Sequence, residues 1–228
     1  EPGELDALTD LLREQGLQTR EQSLDAASQT ADWLMPKQNT AWSVNTQVNF
    51  CSAAYRTVMP GHEDSAPLTV LGGVLRDNFL HRTIREQGGA YGGGASHDSN
   101  TGTFRFYSYR DPRIEGTLDD FRASLDWVTG QGVNQEQVES SILGVISSMD
   151  KPGSPAGEAK QAFQNRLFGR SDEFRKAYRE ALLGVTADDV KRVAETYFDE
   201  ATASKAVVTD RKHADELAGK GFEVVSLS

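Results

Sequence analysis

Two groups of residues could carry chemistry: four histidines and a glycine-rich stretch around one tyrosine. His62, His81, His97 and His213 are scattered, and no two lie within five residues of each other. Zinc hydrolases set two histidines one helical turn apart with a glutamate beside them. Both imidazoles then reach one ion, and the carboxylate serves as base. His62-Glu63 lacks the second histidine, and His97-Asp98 falls on a predicted hairpin. None of the four is expected to hold a metal. The single cysteine, Cys51, cannot form an intrachain disulfide or a thiolate zinc cluster. It follows an alternating apolar run and reads as a buried, inert thiol, because a nucleophilic thiol needs an activating partner.

The most distinctive stretch is Arg85-Glu86-Gln87-Gly88-Gly89-Ala90-Tyr91-Gly92-Gly93-Gly94, five glycines within seven residues. A phosphate-cradling loop would end in Gly-Lys-Ser/Thr, and a dinucleotide fingerprint would follow a strand. Here the ending is absent and a helix precedes the glycines. On residue physics two readings stand. Either the glycines stop a helix and admit a strand, with Tyr91 an ordinary sheet aromatic and Arg85 a cation complementing the helix dipole, or the stretch is a binding site. Weaker candidates are Tyr107 and Tyr109, which share one strand face, and His81, one helical turn before Arg85. Asn45 and Gln47 are also candidates, on the polar side of an earlier strand.

The elements that position these residues follow from periodicity. Residues 4–34 read as a helical pair: Leu5, Leu8, Leu11 and Leu12 recur at helical spacing, and Leu24, Ala27 and Ala31 continue after a break near Gly16. Residues 41–50 alternate as one strand, with Trp42, Val44, Val48 and Phe50 on one face and Ser43, Asn45, Gln47 and Asn49 on the other. A helix over 67–85 ends at Gly88-Gly89. Strands at 90–97 and 103–109 then form a hairpin about Asp98–Gly102. The stripe Ile114, Leu118, Phe121, Leu125 and Val128 makes the next helix. Asn134 with Gln137 starts another, and helices follow at 156–169, 172–182 and 187–198. Thr186 with Asp189 caps the last of these. Short strands at Lys205–Thr209 and Phe222–Val225 close the chain. Strand, helix, hairpin, helices and strand without a βαβ repeat predict an α+β domain: an antiparallel sheet with helices packed on one face.

The chain has 228 residues, with 37% hydrophobic and 25% charged, which suits a folded domain with a real core. Its formal net charge of −10 argues against nucleic acid as a partner, since phosphate binding needs clustered cations. No apolar run is long enough to span a membrane. The chain begins Glu1-Pro2-Gly3, without Met or a signal-peptide pattern, and is expected to be a piece of a longer protein. A soluble cytoplasmic or organelle-matrix location is expected.

Residues 79–112 resemble the fourth domain of presequence proteases, a branch of the insulinase or pitrilysin-type M16 zinc metallopeptidases. An Arg closes a helix, Gln-Gly-Gly-Ala-Tyr-Gly-Gly follows, and a hairpin ends in Ser108-Tyr109-Arg110-Asp111-Pro112. The likeness extends more loosely from Trp33 to about Phe198, including Val185-Thr186-Ala187-Asp188-Asp189-Val190. The resemblance implies a non-zinc-binding C-terminal domain over 35–228, preceded by a leading helical segment over 1–34. It implies that the chain pairs with an N-terminal, zinc-bearing half of the same protein and is inactive alone. It also implies that Arg85 and Tyr91 reach a bound peptide substrate, with Gly88 and Gly89 letting an extended peptide pass close by. Zinc would serve the whole enzyme as cofactor, with none held by this chain. The contrasting expectation is a non-catalytic scaffold subunit that pairs with a separate zinc-bearing chain.

Overall fold

The computed structural model describes residues 2–16, 37–130 and 132–227. The chain divides into two compact units, 1–36 and 37–228. In the first, helix α1 runs Pro2–Glu14 and stops at Gly16, whose φ of 77° only glycine adopts without strain. The expected continuation through Leu24, Ala27 and Ala31 lies outside the described residues.

The second unit holds one six-stranded sheet in the order β3-β4-β2-β5-β1-β6. The strands are β1 (Asn39–Ser43), β2 (Asn49–Arg56), β3 (Gly92–Asp98), β4 (Thr103–Asp111), β5 (Ser204–Thr209) and β6 (Glu223–Ser226). β3, β4, β2 and β5 pair antiparallel, whereas β1 runs parallel to both β5 and β6. The sheet is therefore mixed and mostly antiparallel: the α+β class holds, and the expected antiparallel sheet carries parallel pairings at β1.

The predicted strand over 41–50 is corrected to two strands. β1 and β2 flank β5 on opposite sides, so residues 44–48 must carry the chain across β5, about 10 Å at ordinary strand spacing. The Thr46 hydroxyl donates to the Val48 carbonyl at 2.9 Å and lies 3.2 Å from the Val48 N–H, bending the crossing. The assignment of faces is corrected too. Ser43 and Asn49 point into the covered side, while Trp42 is half-buried and Phe50 is exposed. Burying Asn49 costs little because its amide is satisfied. It donates to the Asp111 carbonyl at 3.0 Å and accepts from the Thr209 hydroxyl at 2.6 Å, tying β2 to β4 and β5.

Helices cover the face that carries Cys51, Ala53, Tyr55, Phe104, Phe106 and Val207, all buried. The helices of this unit are α2 (Ser65–Leu75), α3 (Glu115–Gly130), α4 (Gln135–Asp150), α5 (Pro155–Leu167), α6 (Asp172–Leu183), α7 (Ala187–Tyr197) and α8 (Arg211–Ala218), of which α5 buries no residue and takes no part in that cover. α2 is apolar nearly all round and is correspondingly central, touching β3, α3, α4, α6 and α7. The two capping boxes read from sequence are present: Asn134 with Gln137 on α4, and Thr186 with Asp189 on α7. Cys51 lies in this core, where burial pushes its thiol up to about 12 and leaves it unreactive. Among the described residues no helix is long and apolar enough to cross a membrane.

Candidate functional site

Past Leu75 the chain stays helical but unwinds into a π-helical segment, Arg76–Gln87. In that winding residues five apart share a face, and His81 Nδ1 lies 3.5 Å from the Glu86 carboxylate. The segment buries Leu80 and Ile84 and leaves His81 and Arg85 in solvent. Arg85 Nη1 is 3.5 Å from His81 Nε2. Among the described residues no carboxylate pairs with Arg85, whereas Arg76, Arg113, Arg122, Arg179 and Arg192 all have one.

The helix ends on three backbone bonds. The Gly88 and Gly89 N–H groups donate to the Arg85 carbonyl, the latter at 3.2 Å, and the Ala90 N–H donates to the Ile84 carbonyl at 3.1 Å. Gly89 has φ 79° and is exposed, so its glycine is demanded by the turn. Gly88 is buried for a different reason: the Arg113 guanidinium fills the place of a side chain there. That guanidinium is held in turn by Asp120 at 2.8 Å and the Thr83 carbonyl at 3.3 Å. A Cβ at residue 88 would also lie 2.6 Å from the Ile84 carbonyl oxygen. Gly88→Ala is therefore expected to destabilise the domain by about 1–3 kcal/mol through overpacking, read as a lower midpoint in urea. An unchanged midpoint would mean that Arg113 swings away without cost.

Tyr91 follows, 62% exposed, one residue before β3. Its N–H donates to the Arg110 carbonyl at 3.2 Å, its ring lies 5.7 Å from that of Tyr109, and the Arg110 guanidinium carbon sits 5.6 Å from its centroid. Among the described residues its hydroxyl has no hydrogen-bond partner. The hairpin register sets Gly92 opposite Tyr109 and Gly94 opposite Tyr107. Both tyrosine rings lean over those glycines, and a Cβ on Gly92 would come within 2.8 Å of three Tyr109 atoms. Phe104 and Phe106 take the core side of β4, so Tyr107 and Tyr109 belong to the uncovered face. Phe50 joins them there, at 39% exposed like Tyr109. The result is an aromatic, solvent-facing wall, with the Tyr91 ring against Tyr109 at one end of it. Sequence reasoning missed Arg110 and Arg113. Their only signal was the Arg-Asp-Pro-Arg run at the end of the hairpin. Asn45 and Gln47 are exposed in the β1–β2 crossing.

The histidines do not converge. His62 Nδ1 accepts the Asp64 N–H at 3.1 Å, His97 faces the Thr69 hydroxyl at 3.4 Å, and His213 faces Asp210 at 2.8 Å. Burial holds His97 below the usual imidazole range. Among the described residues no three His, Cys, Asp or Glu side chains stand together as a metal site. The donor set of the described residues does not fit a bound zinc.

The chain is similar to proteins of known family and structure. A mitochondrial presequence protease of Yarrowia lipolytica is 36% identical over 183 residues, covering 80% of this chain and 18% of that protein. The Saccharomyces cerevisiae mitochondrial presequence protease is 40% identical over 154 residues, covering 66% of this chain and 15% of that one. The chain thus spans less than a fifth of the length of these relatives. Among solved structures, a Helicobacter pylori protease superposes with a TM-score of 0.64 at 16% identity, over 76% of this chain and 45% of that one. Pitrilysin does so at 0.55 and 15%, over 83% and 22%. An inactive M16 peptidase domain of Pseudomonas fluorescens gives 0.63 at 14%, over 77% and 43%. These distant likenesses concern the fold alone. Residues 39–210 match the family described as the PreP C-terminal domain, and the chain belongs to that family, the C-terminal region of the M16 presequence proteases.

Proposed function

We propose that this chain is the substrate-binding C-terminal portion of a zinc-dependent metalloendopeptidase that degrades short unstructured peptides. In this reading Arg85 and Tyr91 donate hydrogen bonds to the peptide at the bond being cleaved. One observation carries it: Arg85 has no carboxylate partner and the Tyr91 hydroxyl no hydrogen-bond partner among the described residues. Both are exposed at the two ends of one tight helix-to-strand link. A guanidinium without a carboxylate and a phenol without a hydrogen bond keep donors to spare, which suits them to an incoming carbonyl.

The chemistry follows from charge. Attack on a peptide carbonyl turns a neutral oxygen into an oxyanion, and donors already aimed at it stabilise the transition state more than the ground state. The Tyr91 O–H donates one such bond. The Arg85 guanidinium donates to the same oxygen or to the neighbouring carbonyl. Phe50, Tyr107 and Tyr109 supply apolar area against the substrate's side chains. Exposed Gly89 lets the peptide backbone approach, while Gly88 keeps the turn seated on Arg113. The metal and its base belong to the N-terminal half, so the chain is inactive alone. Residues 35–228 are the domain concerned, and 1–34 lead in from the preceding region. The mitochondrial relatives support an organelle-matrix location.

In the intact enzyme, Arg85→Ala is expected to lower kcat/KM by about 10²-fold. Part of the loss should fall in KM if the guanidinium already grips a ground-state carbonyl. Arg85→Lys should recover little, because an ammonium cannot reproduce the planar fork. Unchanged kinetics in Arg85→Ala would sink the assignment and leave the chain as a scaffold that pairs with the zinc-bearing part.

A further inference from the structure

We propose that Arg110 is a positioning residue that aims Tyr91 at the substrate. The inference rests on the reading of Tyr91 given above and extends it to a residue outside the helix-to-strand link.

Arg110 is the one non-glycine residue with positive φ among those described, at 50°. That conformation is disfavoured for a side chain with a Cβ, and it persists only where surrounding contacts over-determine it. Those contacts are present on the next residue. Asp111 is fully buried. Its carboxylate accepts from the Arg113 N–H at 2.9 Å and the Thr117 hydroxyl at 2.7 Å, and its carbonyl accepts from Asn49 at 3.0 Å. Pro112 then constrains the backbone on the far side and packs toward Gly89.

Arg110 lies across the hairpin from Tyr91, one step beyond the Gly92–Tyr109 pair. In a strand the carbonyl points toward the neighbouring strand while the side chain stands out of the sheet. At Arg110 both engage the same residue: the carbonyl accepts the Tyr91 N–H at 3.2 Å, and the guanidinium lies 5.6 Å from the Tyr91 ring centroid. Tyr109 contacts that ring from a second side at 5.7 Å. Tyr91 is otherwise largely in solvent, where a tyrosine ring would sample several rotamers. Backbone and side chain of Arg110 together fix where Tyr91 starts and which way its ring lies. The guanidinium has no carboxylate partner among the described residues, so an ion pair does not account for its placement.

The test is a double-mutant cycle in the intact enzyme, using steady-state cleavage of a short unstructured peptide. Arg110→Ala is expected to lower kcat by about 10-fold or more, since small misplacements of a reacting group cost on that scale. KM should change by less than about twofold, on the same reading of mutant kinetics. In a Tyr91→Phe background the same change should cost less than about twofold, because the hydroxyl being aimed is already gone. Arg110→Lys, which keeps a cation for the ring face, should recover most of the rate. If Arg110→Ala does not fold, Arg110→Gly carries the same test, since glycine accepts the backbone conformation without strain. Equal losses from Arg110→Ala in both backgrounds, or none in the wild type, would overturn the proposal while leaving Tyr91 in place. A normal kcat in Tyr91→Phe alone would overturn the underlying assignment, and the proposal with it.

Discussion

Tyr91→Phe in the intact enzyme is expected to lower kcat by about 10²–10³-fold, with kcat/KM falling in parallel and KM nearly unchanged. The substitution removes one hydroxyl. That hydroxyl has no partner among the described residues, and the ring keeps its contacts with Tyr109 and Arg110. Folding should therefore be untouched, and the melting temperature of the variant should match the wild type. An interaction made only when the carbonyl oxygen becomes an oxyanion contributes to the transition state and not to substrate binding. Its loss thus appears in turnover. If Tyr91 is merely a sheet-edge aromatic, the rate changes by less than about twofold, far below what losing an oxyanion donor costs. Steady-state kinetics with melting temperatures measured beside them separate the two outcomes.

The second large effect concerns stability. Phe106→Ala is expected to destabilise the domain by about 3–5 kcal/mol, measured by urea unfolding of the purified chain. Phe106 is fully buried, and its ring meets those of Tyr55, Phe104, Phe121 and Phe198 at centroid distances of 6.0, 5.3, 5.4 and 6.2 Å. It therefore joins β4 to β2, to α3 and to the end of α7. Truncation loses the transfer energy of the ring and opens a cavity that the surrounding elements cannot collapse. Tyr107→Ala, one residue on and pointing to the uncovered face, should cost much less. Similar losses for the two would mean that the face carrying Tyr107 and Tyr109 is covered in solution, and the aromatic wall would not be open to a peptide.

These two neighbours also mark what can be read from sequence. Alternation in β4 separates Phe104 and Phe106 from Tyr107 and Tyr109 without ambiguity, because a strand repeats every two residues. Which set faces the core is a different matter. For β4 the more apolar set is inside. For residues 41–50 the apolar set, Trp42 and Phe50, lies toward the open face, and Ser43 and Asn49 go inward. A sheet that presents aromatics on its uncovered side inverts the ordinary rule, and periodicity alone carries no sign of which side the helices will cover.

The candidate site was legible to the extent that it is local. Arg85, Gly89 and Tyr91 fall within seven residues. The helix stop, the positive φ at Gly89 and the strand entry all follow from glycine's freedom and the helix's unsatisfied carbonyls. Arg110 and Arg113 were not legible, because their contacts with Tyr91 and Gly88 cross some twenty residues and exist only once the hairpin registers Gly92 against Tyr109.

By itself, then, the sequence determined what depends on neighbours a few residues apart. It determined the α+β class, a hairpin about Asp98–Gly102 read over 90–97 and 103–109, and the capping boxes at Asn134 and Thr186. It also determined the motif that identifies the family. Each is set by local hydrogen bonding, backbone freedom or a short apolar period, and those act before any tertiary contact forms. Only the tertiary structure decided that residues 41–50 split around β5, a strand some 160 positions later in the chain, and that Asn49 is buried. It alone brought Arg113 beneath Gly88 and Arg110 to Tyr91. Those outcomes turn on which distant segment fills a given space, and a pattern of polar and apolar residues along one strand is the same whichever neighbour arrives.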